Sequence, residues 1–195
     1  MADEAPDFSG DEAAPRPPTL TDLARLCAEF NRLGARYVVV GGLAIIQAGY
    51  SRTTEDIDLL IDATPENEAR IIEGLLILPD KAARQLNPGD IARYTVIRVA
   101  DDVLVDLMKN SCGVTYAEAI KDALTFDVQG VLIPFASPGT LWRMKQTVRA
   151  KDIPDRLYLR ELLHAQGIEV EAAEPEKLSG WIQRRKAWWQ KDSPS

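Results

Sequence analysis

Val39-Val40-Gly41-Gly42-Leu43-Ala44, followed by Arg52-Thr53-Thr54-Glu55-Asp56-Ile57-Asp58-Leu59-Leu60, sets a Gly-Gly turn upstream of two acids one residue apart in an apolar run. With Ile57 to Ile61 as a β-strand, side chains alternate between faces. Asp56 and Asp58 then point the same way from one edge, while Ile57 and Leu59 point into the core. Two carboxylates side by side repel, so one would retain a proton; Mg²⁺, a hard cation that prefers carboxylate and phosphate oxygens, removes that conflict. The Gly-Gly pair supplies the other half of such a site. A strand over Tyr37 to Val40 that turns tightly into a helix over about Gly42 to Ala48 lets backbone N–H groups approach a polyphosphate with no Cβ in the way.

Val40-Gly41-Gly42, then thirteen residues, then Asp56-Ile57-Asp58-Leu59 resemble the hG[GS]…Dh[DE]h signature of the nucleotidyltransferase superfamily related to DNA polymerase beta. The resemblance covers roughly residues 37 to 155 and implies a third carboxylate on a later strand. Asp106, in Val103-Leu104-Val105-Asp106-Leu107-Met108, is the candidate. It also stands out unaided, because a carboxylate in a half-buried apolar strand is costly unless paired or metal-bound. The same resemblance extends to Arg52-Thr53-Thr54-Glu55-Asp56-Ile57-Asp58, and it places Arg52 and Thr53 at the nucleotide. Arg52 either contacts phosphate or salt-bridges the acids in the metal-free state. Many relatives carry Ser where this chain has Gly42, so here backbone N–H groups take over the phosphate contact.

A second cluster lies in Leu141-Trp142-Arg143-Met144-Lys145-Gln146-Thr147-Val148-Arg149-Ala150-Lys151-Asp152-Ile153-Pro154-Asp155. A helix opened by Pro138 and running to about Ala150 would set Lys145 and Arg149 on one face. On their own they read as a basic face paired with Asp152 and Asp155. The Lys-x-x-x-Arg-x-Lys-Asp pattern of small bacterial superfamily members implies instead that Lys145, accompanied by Arg149, contacts the triphosphate and that Asp152 is structural.

Around these motifs, 195 residues with 46% hydrophobic content are enough for one domain with an appendage. Residues 1–18, rich in Ala, Asp, Glu and Pro, read as a disordered tail. Residues 19–136 read as the core. Thr21 caps a helix carrying Leu23, Leu26, Phe30 and Leu33 and ending near Gly34. Helices are expected over Pro65 to Leu76 and Tyr116 to Leu124, and strands over Arg93 to Val99, Val103 to Met108 and Val131 to Phe135. The fold class is α/β: a mixed sheet flanked by helices, as the resemblance also implies. Residues 137–195 form a C-terminal helical segment with a further helix over Leu159 to Ala165. Its last part, Trp181-Ile182-Gln183-Arg184-Arg185-Lys186-Ala187-Trp188-Trp189, reads either as an amphipathic helix docking on the core or a partner, or as a surface that stacks RNA bases. The two cysteines, Cys27 and Cys112, lack metal-ligand spacing and make no disulfide framework, which points to a reducing, cytoplasmic location. No apolar run approaches a membrane span and the acidic start is unlike a secretory signal. A formal charge of −7 argues against a protein that coats nucleic acid through its overall field.

The chemistry implied by the resemblance is transfer of a nucleoside monophosphate from an NTP to an acceptor hydroxyl with release of pyrophosphate. Asp56, Asp58 and Asp106 would hold two Mg²⁺ ions, with Mn²⁺ as the alternative metal. The acceptor would be tRNA or another RNA, a small molecule or a protein. The short chain most resembles nucleotidyltransferase toxins of toxin-antitoxin systems, which implies an antitoxin partner. A non-enzymatic nucleotide-binding regulator of the same fold is the competing class. Nothing in the sequence chooses among ATP, GTP, CTP and UTP.

Overall fold

A computed structural model describes residues 14–171. Most of the expected tail and the Trp-rich stretch after residue 171 lie outside them. Within the expected tail, however, the chain is already held at Arg16, which bridges to Val103 through the backbone and to Asp22 and Asp102 through its guanidinium at 2.7 and 3.1 Å.

Helix α1, Leu20–Leu33, begins two residues earlier than a Thr21 cap requires. Thr19 is the N-cap because Asp22 sits three residues on, and the two side chains exchange hydrogen bonds with each other's backbone N–H. The helix ends where Gly34 turns left-handed at φ 66°. Strand β1, Tyr37–Val40, leads into helix α2, Gly41–Gln47, and strand β2 spans Asp56–Ile61. Helix α3, Pro65–Leu75, a 3₁₀ turn at Ala82–Gln85 and the short helix α4, Asp90–Arg93, precede the hairpin of β3, Val96–Ala100, and β4, Leu104–Met108.

After β4 come a two-stranded ribbon, β5 (Asn110–Ser111) with β6 (Val114–Thr115), and the single turn of α5, Tyr116–Ala119. The helix expected to reach Leu124 stops there. Leu124–Val128 is instead strand β7, joined to β8, Val131–Phe135, by the two-residue turn Gln129-Gly130 with φ of 56° and 84°. Two left-handed residues in a two-residue loop match the strands' own twist. That hairpin, and the β-branched and aromatic Thr125, Phe126 and Val128, outweigh local helix propensity. Helices α6, Pro138–Met144, and α7, Asp152–Ala165, complete the described chain.

The six main strands form one mixed sheet in the order β3-β4-β2-β1-β8-β7. β2 runs antiparallel to β1 and parallel to β4, and β3 returns antiparallel at the edge. Helix α1 packs on α3 and β8, while α2 packs on β1 and β2 and touches α6, which in turn packs on α7. The core is continuous, from Leu23, Leu26 and Phe30 of α1 through Val38–Val40, Ile57, Leu59 and Leu60 to Leu141 and Leu159. Buried Glu68 accepts N–H groups of Gly89, Ile91 and Ala92 at 2.6–3.1 Å and so fastens the start of α4. None of the described helices is long and apolar enough to cross a membrane.

Candidate active site

Register across the sheet builds the site. Asp58 on β2 stands opposite Val40 of β1 on one side and opposite Asp106 of β4 on the other, and Asp106 in turn faces Arg98 of β3. Residues in one row across a pleated sheet share a face, and Asp56, two positions before Asp58, shares it as well. One carboxylate oxygen from each of Asp56, Asp58 and Asp106 therefore lies within 4.8 Å of the other two. Octahedral oxygen ligation of Mg²⁺ at about 2.1 Å places opposite ligands about 4.2 Å apart, so three hard oxygens at this spacing fit such an ion with small side-chain adjustments.

The three acids are electrostatically strained in one another's company. Burial, reinforced by Asp56 and Asp106, pushes the Asp58 carboxyl up to about 6, against the opposing pull of the Gly42 N–H and the Lys145 ammonium. A divalent cation would reverse that balance.

Gly41 sits at φ 61° with Asp58 directly above it: a Cβ added there would lie 2.7 Å from Asp58 Cβ and closer still to the carboxylate. Only glycine allows this approach. The next N–H, of Gly42, points at Asp58 Oδ2 at 3.4 Å. A Cβ on Gly42 would press on the side chain of Thr54, whose hydroxyl donates to the Asp56 backbone oxygen and carboxylate at 3.3 Å. Thr54, not Thr53, therefore faces the acids; Thr53 is exposed and offers its carbonyl to Arg52 Nε.

Arg52 does not pair with the three acids. Its Nη1 meets Asp155 Oδ2 of α7 at 2.6 Å. The pairing with the acids expected as one role of Arg52 falls to Arg98, which no local motif marks. Arg98 donates to both oxygens of Asp106 at 2.7 Å and to Asp56 at 3.0 Å, and the fork on Asp106 holds its own pKa well above the usual range.

The expected helix from Pro138 to Ala150 ends at Met144, so Lys145 and Arg149 do not share a helical face. Arg156 of α7 donates to the carbonyls of Lys145 and Thr147 at 3.0 and 2.8 Å and so holds the chain in a turn beyond the helix end. The turn nevertheless brings both cations to one acid. Lys145 Nζ lies 3.0 Å from Asp152 Oδ1 and 2.8 Å from Asp155 Oδ2, and Arg149 Nε lies 2.8 Å from Asp152 Oδ2. Burial would raise the pKa of Asp152, yet hydrogen bonds from Thr147, Lys145 and Arg149 hold it below the ordinary value. Lys145 is only 8% exposed, so it is a fixed charge and not part of a solvated basic face.

All these groups line one open cleft of about 760 Å³ counted to its mouth: Gly41, Gly42, Arg52, Thr54, the three acids, Arg98, Lys145, Arg149 and Lys151. Acids on the sheet face cations from the 52–54 loop and the α6–α7 connection. Such a divided surface can hold a metal on one wall and an anion against the other. The single histidine, His164, does not line this cleft; it is exposed and 3.4 Å from Glu169. Cys27 is buried and Cys112 exposed, both as free thiols.

Among known proteins, the chain matches no family model and no curated protein. Among solved structures it is similar to an antigenic nucleotidyltransferase-like protein from Paracoccidioides brasiliensis, at 18% identity and a TM-score of 0.47, over 91% of this chain and 94% of that one.

Proposed function

We propose that the protein is a metal-dependent nucleotidyltransferase that moves a nucleoside monophosphate from an NTP to an acceptor hydroxyl and releases pyrophosphate. The observation that carries this reading is the convergence of Asp56, Asp58 and Asp106 within 4.8 Å beside a glycine turn and opposite a fixed lysine. Asp56 and Asp58 would hold two Mg²⁺ ions, or Mn²⁺ in their place, and Asp106 would join in holding one. Bound there, the ions polarise phosphoryl oxygens and lower the pKa of the attacking hydroxyl.

The chain's own groups do the rest. Gly41 and Gly42 make room for the Asp58 and Thr54 side chains, and the turn they form would cradle the β- and γ-phosphates. Lys145, held between Asp152 and Asp155, is oriented before substrate arrives and offers positive charge where the leaving pyrophosphate gathers negative charge. Arg52 is oriented in the same way by Asp155, and Arg149 by Asp152. Asp106, on the strand beside Asp58, would accept the proton of the acceptor hydroxyl.

RNA, tRNA above all, is the acceptor class favoured by the sequence resemblance to toxin nucleotidyltransferases, with an antitoxin as the implied partner. The test is incubation with each labelled NTP, Mg²⁺ and total tRNA, total protein or small hydroxyl compounds, with an Asp58→Asn control. Label on RNA that depends on Asp58 supports the whole reading. Label on protein or a small molecule keeps the enzyme and replaces the acceptor, whereas NTP binding with no transfer to any acceptor points to a nucleotide-binding regulator.

A further inference from the structure

Asp106 has two neighbours in its sheet row, Asp58 and Arg98, so a cation is built into the side wall of the acidic cluster. Arg98 spends Nε and Nη2 on the two oxygens of Asp106, at 2.7 Å each, and shares Nη2 with Asp56 at 3.0 Å. Those carboxylates are also the ligands that a divalent ion needs, and a bidentate guanidinium occupies both oxygens of one of them. Of the other cations of the cleft, Arg52 holds Asp155, Lys145 holds Asp152 and Asp155, and Arg149 holds Asp152, while Lys151 makes no ion pair among the described residues. An ion arriving at the three acids therefore competes with Arg98 and leaves those pairs intact. Arg98 is free to move, since it stands on an edge strand with its side chain 53% exposed, and it lines the same cleft as Gly41 and Lys145.

We propose that Arg98 is an exchanging counter-ion: in the metal-free protein its guanidinium pairs with Asp106 and Asp56, and when a divalent ion binds there it leaves them for the phosphates of the incoming nucleotide. The inference rests on the metal and nucleotide reading given above. Its physical basis is charge pairing. Before exchange, one guanidinium faces a cluster of carboxylates; a dication at the same acids repels that guanidinium and satisfies them better. A metal-bound polyphosphate brings both partners at once, so the pair acid–arginine becomes the pairs acid–metal and arginine–phosphate. Arg98 is thus a metal competitor and a phosphate ligand, in states that exclude each other.

Opposite signs in two binding measurements test this. Mn²⁺ binding alone is followed by loss of the free-ion EPR signal, and tripolyphosphate binding at saturating Mn²⁺ by calorimetry, for wild type, Arg98→Gln, Arg98→Lys and Asp58→Asn. Arg98→Gln is expected to bind Mn²⁺ roughly fivefold more tightly than wild type, since a half-exposed competing ion pair has gone, and tripolyphosphate at least about tenfold more weakly. Arg98→Lys, a point charge with no planar fork, falls between the two and keeps the comparison open should the glutamine variant fold poorly. Unchanged or weaker Mn²⁺ binding in the Arg98 variants, with Asp58→Asn having lost it, overturns the exchange and leaves the metal site standing. So does unchanged tripolyphosphate affinity. Failure of wild type itself to bind Mn²⁺ would overturn the metal reading together with the exchange built on it.

Discussion

Gly41→Ala separates a steric requirement of the site from ordinary backbone strain. Gly41 and Gly34 have nearly the same backbone, φ 61° and 66°, but nothing lies within 4 Å of a Cβ at Gly34, whereas one at Gly41 lies 2.7 Å from Asp58 Cβ. Both substitutions cost about 1 kcal/mol for an alanine held left-handed, which in a chain of this size lowers Tm by about 2–4 °C. Only at Gly41 must a neighbour also give way. Ordinary contact between such carbons begins near 3.4 Å, so Asp58 must retreat by roughly 0.7 Å at Cβ, and its carboxylate, closer still, by on the order of 1 Å. A displacement of that size in a pre-positioned ligand costs about 100-fold, or about 2.7 kcal/mol. Mn²⁺ titration and thermal melting of both variants decide the matter. A larger Tm loss is expected in Gly41→Ala than in Gly34→Ala, because the clash with Asp58 adds to the shared backbone strain, with metal affinity lost in Gly41→Ala alone. Wild-type Mn²⁺ affinity in Gly41→Ala, or an equal loss in Gly34→Ala, would refute the argument that glycine is there to make room for Asp58.

Asp58→Asn should abolish nucleotidyl transfer and Mn²⁺ binding while leaving metal-free Tm unchanged or raised, because it removes one of three crowded like charges; transfer at the wild-type rate would sink the site assignment. With the Asp58 carboxyl raised from 3.8 to about 6, the native state binds more protons than the unfolded chain between those values. The Asp58 contribution to metal-free stability should therefore fall as pH rises through that window, against the opposite contributions of the lowered Asp22, Glu29, Glu118 and Asp152 carboxyls. Urea melts of wild type and Asp58→Asn at pH 4, 5 and 6 isolate it, and the stability difference should shift in favour of the variant as pH rises. Mn²⁺ affinity runs the other way and should drop about tenfold per pH unit below 6, since the ion displaces a proton; a flat profile from pH 5 to 7 would contradict the raised carboxyl. Asp155→Asn strips both Arg52 and the buried Lys145 of a partner, and a loss of about 3 kcal/mol in urea melts is expected, together with weaker tripolyphosphate binding.

The expected third carboxylate, Asp106, lands in register with Asp58 because a charged side chain in an apolar strand is legible wherever it occurs, and β4 pairs with β2. The turn at Gly41 and the strand bearing Asp56 and Asp58 were equally legible, since hydrophobic alternation and a Gly-Gly break are local signals. The spacing of Lys145 and Arg149 predicts a shared helical face, and the two meet through Asp152 instead. The carbonyl contacts of Arg156 that accompany the end of that helix come from the following helix, at a separation no local pattern reports. Strand β7 was hidden for a related reason: Tyr116 to Leu124 has helical composition, and its strand neighbour is paired only through the Gln129-Gly130 turn.

By itself the sequence determined the alternation that aims Asp56 and Asp58 to one side, the glycine that lets the chain pass beneath them, and the burial cost that singles out Asp106, because each depends on residues a few positions apart. Tertiary structure alone decided which cation guards those acids. Arg52 precedes Asp56 by four residues yet is drawn to Asp155 of α7, while Arg98, forty-two residues beyond Asp56, sits against both Asp56 and Asp106. Coulombic pairing acts over a few ångströms of space, and which charges come that close is set by strand order and register, quantities that emerge only when the sheet assembles.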